Sequence, residues 1–155
     1  MRRRRYLALL GTAASAAVAG CSDGGSSTET PTPTPSPTPT REDLIERYRS
    51  ELDGRDINVQ RIQEDGPTLL LDYYSDAGSR SGFREEVQRV AAAAASAYGQ
   101  YLNVEVDRFE VTGYAYNDDV LGEFHIEAAW VEQLMRRELS EAEYLQRVQN
   151  TVSAA

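Results

Sequence analysis

The side chains that could carry out chemistry are few in this sequence. It contains one cysteine, Cys21, and one histidine, His125, against 25 aspartates and glutamates. A histidine-based metal site or a Ser-His-Asp triad lacks its normal parts here, and carboxylates this abundant say little about catalytic pairs. We therefore predict a non-catalytic domain with no catalytic residue, no metal ligand and no cofactor. His125 is expected to be a half-exposed strand residue.

The tyrosines of the predicted strands are the feature that packing explains least. Tyr73 and Tyr74 are neighbours and would face opposite sides of a strand, whereas Tyr114 and Tyr116 would face the same side. If one sheet face is open, some of the four would form an aromatic surface suited to a sugar, a peptide or a protein partner. The alternative is that they border the core with their hydroxyls in water. The four tyrosines are the predicted binding surface.

Residues 1–20 have the organisation of a signal peptide. A positively charged start is followed by an apolar run of about 13 residues, Tyr6 to Val18, and by small residues before Cys21. Such a run is too short for a membrane-spanning helix, which needs about 20 residues, but it suits the apolar region of a cleaved signal.

Two short motifs in this segment resemble known export signals. The first resembles the twin-arginine motif, with Arg2 where a Ser or Thr is usual, and is carried by Arg3, Arg4, Tyr6 and Leu7. The second, Val18-Ala19-Gly20-Cys21, resembles the lipobox of bacterial and archaeal lipoproteins. The resemblance implies export of a folded domain and a diacylglycerol or diether lipid on Cys21. Two long chains would anchor stably, at about 0.8 kcal/mol per buried methylene. A plain cleaved signal followed by a free cysteine is the alternative.

Residues 21–40 read as the lipidated cysteine and a Thr/Pro-rich tether. Proline recurs at every second position from Pro31 to Pro39. Such a segment cannot bury a core, so we expect it to be disordered but extended, at about 3.1 Å per residue. O-glycosylation and recognition as an SH3-type ligand stay open for it.

The charge of the chain excludes one class of partner. All 16 basic residues are arginines, and the formal net charge of −9 becomes about −13 without the four arginines of the signal. Nucleic-acid binding needs basic surface and is therefore not expected. An acidic, lysine-free surface suits a halophile, because about 1 M salt shortens the Debye length to about 3 Å.

Residues 41–155 are predicted to form a single α+β domain. Periodicity and turn signals predict the order α-ββ-α-ββ-αα, which favours a two-layer fold with a four-stranded, mostly antiparallel sheet and helices on one face. Asn117, Asp118 and Asp119 are read as the turn of the second hairpin. The predicted elements are helix 40–54, strands 57–63 and 68–74, helix 82–102, strands 104–116 and 120–127, helix 128–139 and a last helix capped by Ser140 and Glu143.

The closing segment, from Trp130 through Arg136, Arg137 and Tyr144 to Val148, is similar to small uncharacterised haloarchaeal lipoproteins. This resemblance implies provenance and no activity. We predict a lipoprotein anchored to the outer face of the cell membrane, with a domain that binds a cell-surface protein or a glycan. A structural envelope protein without a small ligand is the alternative, and a hydrolase is the third hypothesis.

Overall fold

The structure is a computed structural model that describes residues 38–77 and 79–154. The predicted signal, Cys21, the export motif and most of the tether lie outside these residues. In the described part of the chain, no helix combines the length and the apolar character needed to cross a membrane.

The described residues form four helices and a five-stranded sheet, which confirms the predicted α+β fold and its order. The two-residue strand at the end of the chain was not predicted. In chain order the elements are α1 (Arg41–Asp53), β1 (Asn58–Asp65), β2 (Thr68–Tyr74), α2 (Arg80–Tyr98), β3 (Arg108–Tyr114), β4 (Val120–Glu127), α3 (Ala128–Met135), α4 (Glu141–Gln149) and β5 (Ser153–Ala154).

The strands lie in the order β1-β2-β3-β4-β5. Most neighbouring strands are antiparallel, but β2 and β3 are parallel, with Leu71 opposite Val111. The chain crosses from β2 to β3 through α2, as a parallel connection requires. The carboxyl ends of β2 and β3 therefore lie side by side at one end of the sheet.

The two faces of the sheet differ in character. One face is buried against the helices and carries apolar side chains such as Leu69, Leu71, Phe109, Val111 and Ile126. The alternate residues of the same strands are polar or half-exposed on the opposite face. The helices thus cover one face, and the other is open among the described residues.

Three predicted boundaries are wrong by four residues each. The helix α2 ends at Tyr98, with Gly99 as its cap, rather than at residue 102. Residues 104–107 form a loop instead of a strand, because the Asp107 N–H donates to the Pro67 carbonyl (2.9 Å) while Val104 and Val106 are buried. The helix α3 stops at Met135 instead of residue 139, just before Arg137 adopts a left-handed backbone conformation (φ 61°).

A pair of glycines sets how closely α2 approaches the sheet. Gly113 and Gly122 lie opposite each other on β3 and β4. A Cβ atom on Gly113 would lie 2.7 Å from Cε2 of Phe83, and one on Gly122 would lie 2.8 Å from Cε1 of the same ring. The Phe83 ring, in the first turn of α2, therefore rests directly on the glycine pair, and larger side chains at either position would push it away.

Capping boxes begin α1 and α4, as predicted from Thr40 with Asp43 and from Ser140 with Glu143. In the second box the Glu143 N–H donates to the Ser140 Oγ (3.3 Å), and the Ser140 Oγ and N–H both donate to the Glu143 carboxylate (2.5 and 3.0 Å). These hydrogen bonds, led by the one from the hydroxyl, lower the pKa of Glu143.

The Ser140→Ala variant should lose about 1 kcal/mol of the free energy of unfolding, because α4 loses its cap. Since the pKa of Glu143 is lower in the folded state, the contribution of its carboxylate is present above the usual glutamate pKa and is lost as the pH falls through the lowered value. Urea unfolding at neutral and acidic pH measures this, with Ser50→Ala on the exposed side of α1 as control. A difference between wild type and Ser140→Ala that does not shrink in acid would contradict the role of Glu143.

Candidate functional site

The carboxyl ends of β2 and β3 bring together the loops that follow both strands. Tyr74 and Tyr114 are register partners, and the Ser75 N–H continues the pairing by donating to the Tyr114 carbonyl (2.8 Å). From here the chain enters α2 on one side and the β3–β4 hairpin turn on the other. Ligands of open α/β sheets bind outside the carboxyl ends of parallel strands, so this end is the first place to look for a site.

Tyr73 is not part of an exposed surface, which corrects the prediction for this residue. Its side chain is fully buried on the helix-covered face, and its hydroxyl donates to Oε2 of Glu86 (3.2 Å). Burial, followed by the charge of Glu86, raises the pKa of Tyr73. Because successive strand residues alternate between faces, the burial of Tyr73 places its neighbour Tyr74 on the open face.

The other three predicted tyrosines lie together on the open face, and we refer to Tyr74, Tyr114 and Tyr116 as the tyrosine cluster. The rings of Tyr74 and Tyr116 are stacked, with centroids 5.5 Å apart and planes inclined by 15°. Tyr74 and Tyr114 are half-buried, whereas Tyr116 is 64% exposed. One ring face of Tyr116 thus lies on Tyr74, and much of the rest of this side chain is in solvent.

Carboxylates hold the hydroxyls of the stacked pair. The Tyr74 hydroxyl donates to Oδ1 of Asp118 (2.9 Å) and accepts from the Gln60 side chain (2.8 Å), while the Tyr116 hydroxyl donates to Oδ1 of Asp76 (2.5 Å). The pKa of each phenol is raised, chiefly because its proton is shared with a carboxylate. Both rings are therefore fixed in place although they are at the surface.

The hairpin turn supplies one of these carboxylates. The Asp118 N–H donates to the Ala115 carbonyl (2.9 Å), and the Ala115 N–H donates to the Asp119 carbonyl (2.8 Å). Asp118 has a left-handed backbone (φ 65°), a conformation that Asp adopts more readily than most residues. The predicted turn at 117–119 is confirmed, and it places Asp118 against Tyr74.

A buried carboxylate lies beside Tyr73 and the residues that follow β2. The Glu86 residue is only 3% exposed. Its Oε2 accepts from the Ser75 hydroxyl (2.5 Å) as well as from Tyr73, and its Oε1 accepts from the Asp76 N–H (3.1 Å). Glu86 thus fixes the backbone at Ser75 and Asp76, and Asp76 in turn holds Tyr116.

Sequence reasoning missed Glu86 and Asp76, and only the first left a signal. Glu86 follows Phe83 by three residues and precedes Val90 by four, so helical spacing puts this acid on the buried side of α2. An acid on an apolar stripe indicates a buried polar contact. Asp76 could not be singled out among 25 acids, because its role depends on a tyrosine 40 positions further along the chain.

A shallow depression of about 290 Å³ lies elsewhere on the open face, over β3, β4 and β5. His125 lies half-buried in its lining, with its ring stacked on Trp130 (6.0 Å) and its Nε2 3.4 Å from Oε1 of Glu127. Across residues 38–77 and 79–154, no group of three or more His, Cys, Asp or Glu side chains is arranged to hold a metal ion. The depression is polar and lacks the fixed aromatic surface of the tyrosine cluster.

The fold and the site define a small α+β domain with one helix-covered sheet face and an open face that ends in an exposed aromatic cluster. The chain belongs to the family described as a domain of unknown function (DUF8159), whose model matches residues 38–155. This match confirms the prediction of an uncharacterised family. Neither the curated proteins nor the solved structures give a significant match to the chain.

Proposed function

We propose that this protein is an exported lipoprotein whose domain binds a ligand or partner outside the cell, without catalysis, through the tyrosine cluster. The charged start, the short apolar run and the small residues before the only thiol support lipidation of Cys21. The resemblance of residues 3–7 to the twin-arginine motif supports export of the folded domain. The lipid would anchor the chain to the outer face of the membrane, and the Thr/Pro-rich tether would hold the domain away from it.

We also propose that the protein comes from a halophilic organism. Sixteen arginines without a lysine, and a formal net charge of −9, support a halophilic source, in agreement with the resemblance to haloarchaeal lipoproteins. High salt shortens the distance over which exposed carboxylates repel one another, so a surface this acidic is tolerated in a salt-rich medium. The overall acidity is then an adaptation to the medium rather than the sign of a metal-ion site.

One observation carries the binding function: Tyr116 is mostly exposed, yet its ring is fixed by stacking on Tyr74 and by its hydrogen bond to Asp76. A buried tyrosine is ordered by the packing around it, whereas most exposed side chains are mobile. A ring that is both exposed and ordered contributes contact area without a large loss of side-chain entropy on binding. Such preorganised aromatic side chains are common anchors of binding surfaces.

The test is affinity capture from the native envelope fraction with the wild-type chain and the Tyr116→Leu variant. We expect the captured ligand or partner to be lost with Tyr116→Leu, while the free energy of unfolding changes by no more than about 0.5 kcal/mol, since an exposed ring contributes little to the core. Urea unfolding of both proteins checks the second expectation.

The matched control is Leu102→Ala, which also removes an exposed apolar side chain. Leu102 follows the far end of α2, whose 19 residues span about 28 Å from the end of the sheet that carries the tyrosine cluster. Capture should survive this change. If Tyr116→Leu captures the same molecules as the wild type, the tyrosine cluster is not the binding surface, and if the wild type captures nothing, the structural role without a ligand gains support.

A further inference from the structure

The two groups that accept hydrogen bonds from the hydroxyls of the tyrosine cluster are carboxylates. Asp118 and Asp76 each use Oδ1 to accept from a phenol, and within the described part of the chain neither Oδ2 takes part in a hydrogen bond. The face of an aromatic ring also carries negative electrostatic potential. The surface around Tyr116 therefore attracts cations and repels anions, in a chain whose overall charge is already negative.

The geometry of the stack selects among cations. The ring of Tyr116 is held flat against Tyr74, so its outer face is open to a flat group. A guanidinium is planar, weakly hydrated and stacks on aromatic faces, while its N–H groups donate to carboxylates at its edge. An ammonium is a compact and strongly hydrated point charge, and it cannot stack on the face of a flat ring as a guanidinium does.

We infer that the occupant of the tyrosine cluster is an arginine side chain of an extended partner peptide, stacked on Tyr116 with its N–H groups towards Asp76 or Asp118. This inference rests on the proposed function, because it names the chemical class of the partner of that same surface. A neutral sugar would also stack on the ring, but it would gain nothing from the two carboxylate charges that fix the cluster. Charge complementarity therefore favours a cation over a neutral sugar at this surface.

The test titrates the full-length chain with the blocked peptide Gly-Arg-Gly-Arg-Gly and, separately, with the same peptide carrying citrulline in place of arginine. Citrulline has nearly the shape of arginine but no charge. Calorimetry should detect binding of the arginine peptide and none of the citrulline peptide. Tyr116→Leu should weaken binding about tenfold or more, as expected for the loss of a cation–π contact together with its apolar contact area.

Two charge variants separate the site from general attraction to an acidic protein. Asp76→Asn keeps an acceptor for the Tyr116 hydroxyl but removes the charge, and it should weaken binding several-fold. Asp65→Asn removes one exposed charge at the opposite end of the β1–β2 hairpin, and it should leave binding unchanged. Repeating the titrations in about 1 M salt reduces the long-range attraction and leaves the contact at Tyr116.

Three results would overturn the inference. The arginine peptide could bind wild type and Tyr116→Leu equally, the citrulline peptide could bind as well as the arginine peptide, or a neutral trisaccharide such as maltotriose could bind at Tyr116 where the arginine peptide does not. In the last case envelope capture would still depend on Tyr116, so the proposed function would stand without its cationic partner. Capture that does not depend on Tyr116 would remove the proposed function itself.

Discussion

The Glu86→Ala variant is expected to lose at least about 3 kcal/mol of the free energy of unfolding of the wild-type protein. The carboxylate of Glu86 is the shared acceptor of three buried or part-buried donors: the hydroxyls of Tyr73 and Ser75, and the backbone N–H of Asp76. Removing the acceptor leaves these donors without a partner, and each unsatisfied buried donor costs roughly 1–3 kcal/mol. Partial reorientation of the two hydroxyls keeps the total below the sum.

The Glu86→Gln variant is the conservative comparison and should lose clearly less, roughly 1–2 kcal/mol. Its amide oxygen can still accept from the Asp76 N–H, and its amide nitrogen can donate to the hydroxyls of Ser75 and Tyr73, so that only the two hydroxyl protons lose their acceptor. Glu86→Gln should therefore keep Asp76 in place and retain binding at the tyrosine cluster, whereas Glu86→Ala should weaken both.

Urea unfolding followed by circular dichroism measures these differences. Glu85→Ala is the matched control, because Glu85 is the exposed neighbour of Glu86 on α2 and should change stability by no more than about 0.5 kcal/mol. Equal losses for Glu85→Ala and Glu86→Ala would show that helix propensity rather than the buried hydrogen bonds accounts for the effect.

The Cys21→Ser variant is expected to move from the membrane fraction to the soluble fraction. Serine has nearly the size of cysteine but lacks the thiol that takes the lipid, so the variant would lose both chains. At about 0.8 kcal/mol per buried methylene, two long chains account for nearly all membrane affinity, and the partition should change by several orders of magnitude. Sedimentation of membranes followed by immunoblotting measures it.

The matched control for the anchor is Ser22→Ala, next to the cysteine, which should stay with the membranes. Mass spectrometry of the wild-type N-terminus should find residue 21 first and carrying the lipid. A Cys21→Ser chain that still sediments with membranes would show that the anchor is wrong, and an unmodified Cys21 in the wild type would favour a plain cleaved signal. Neither result would affect the tyrosine cluster, since the two parts of the proposal rest on separate residues.

Much of the fold could be predicted because its signals are local. The order of helices and strands followed from apolar spacing, and the starts of α1 and α4 followed from capping boxes, whose two residues are three positions apart. The strands β2 and β4 begin and end where they were predicted, β2 from an apolar run and β4 from alternation. The error at the start of β3 arose because the loop before this strand is held by a contact to a distant part of the chain, between Asp107 and Pro67.

The candidate site could be predicted only in outline. Strand alternation showed that Tyr73 and Tyr74 face opposite sides, but not which of them faces the helices. The structure buries Tyr73 beside Glu86 and leaves Tyr74 to stack on Tyr116. That choice depends on the pairing of β2 with β3 and on the docking of α2, which no local pattern contains.

By itself, the sequence determined that the chain has a single thiol behind an apolar segment, a proline-rich segment and an α+β domain, because composition and periodicity are properties of neighbouring residues. Only the tertiary structure decided which acids matter. Asp76 meets Tyr116 across 40 positions, Asp118 meets Tyr74 across 44, and the ring of Phe83 rests on glycines of two different strands. Such contacts form only when distant segments pack, and they turn two of the four predicted tyrosines into a fixed, stacked pair at the surface.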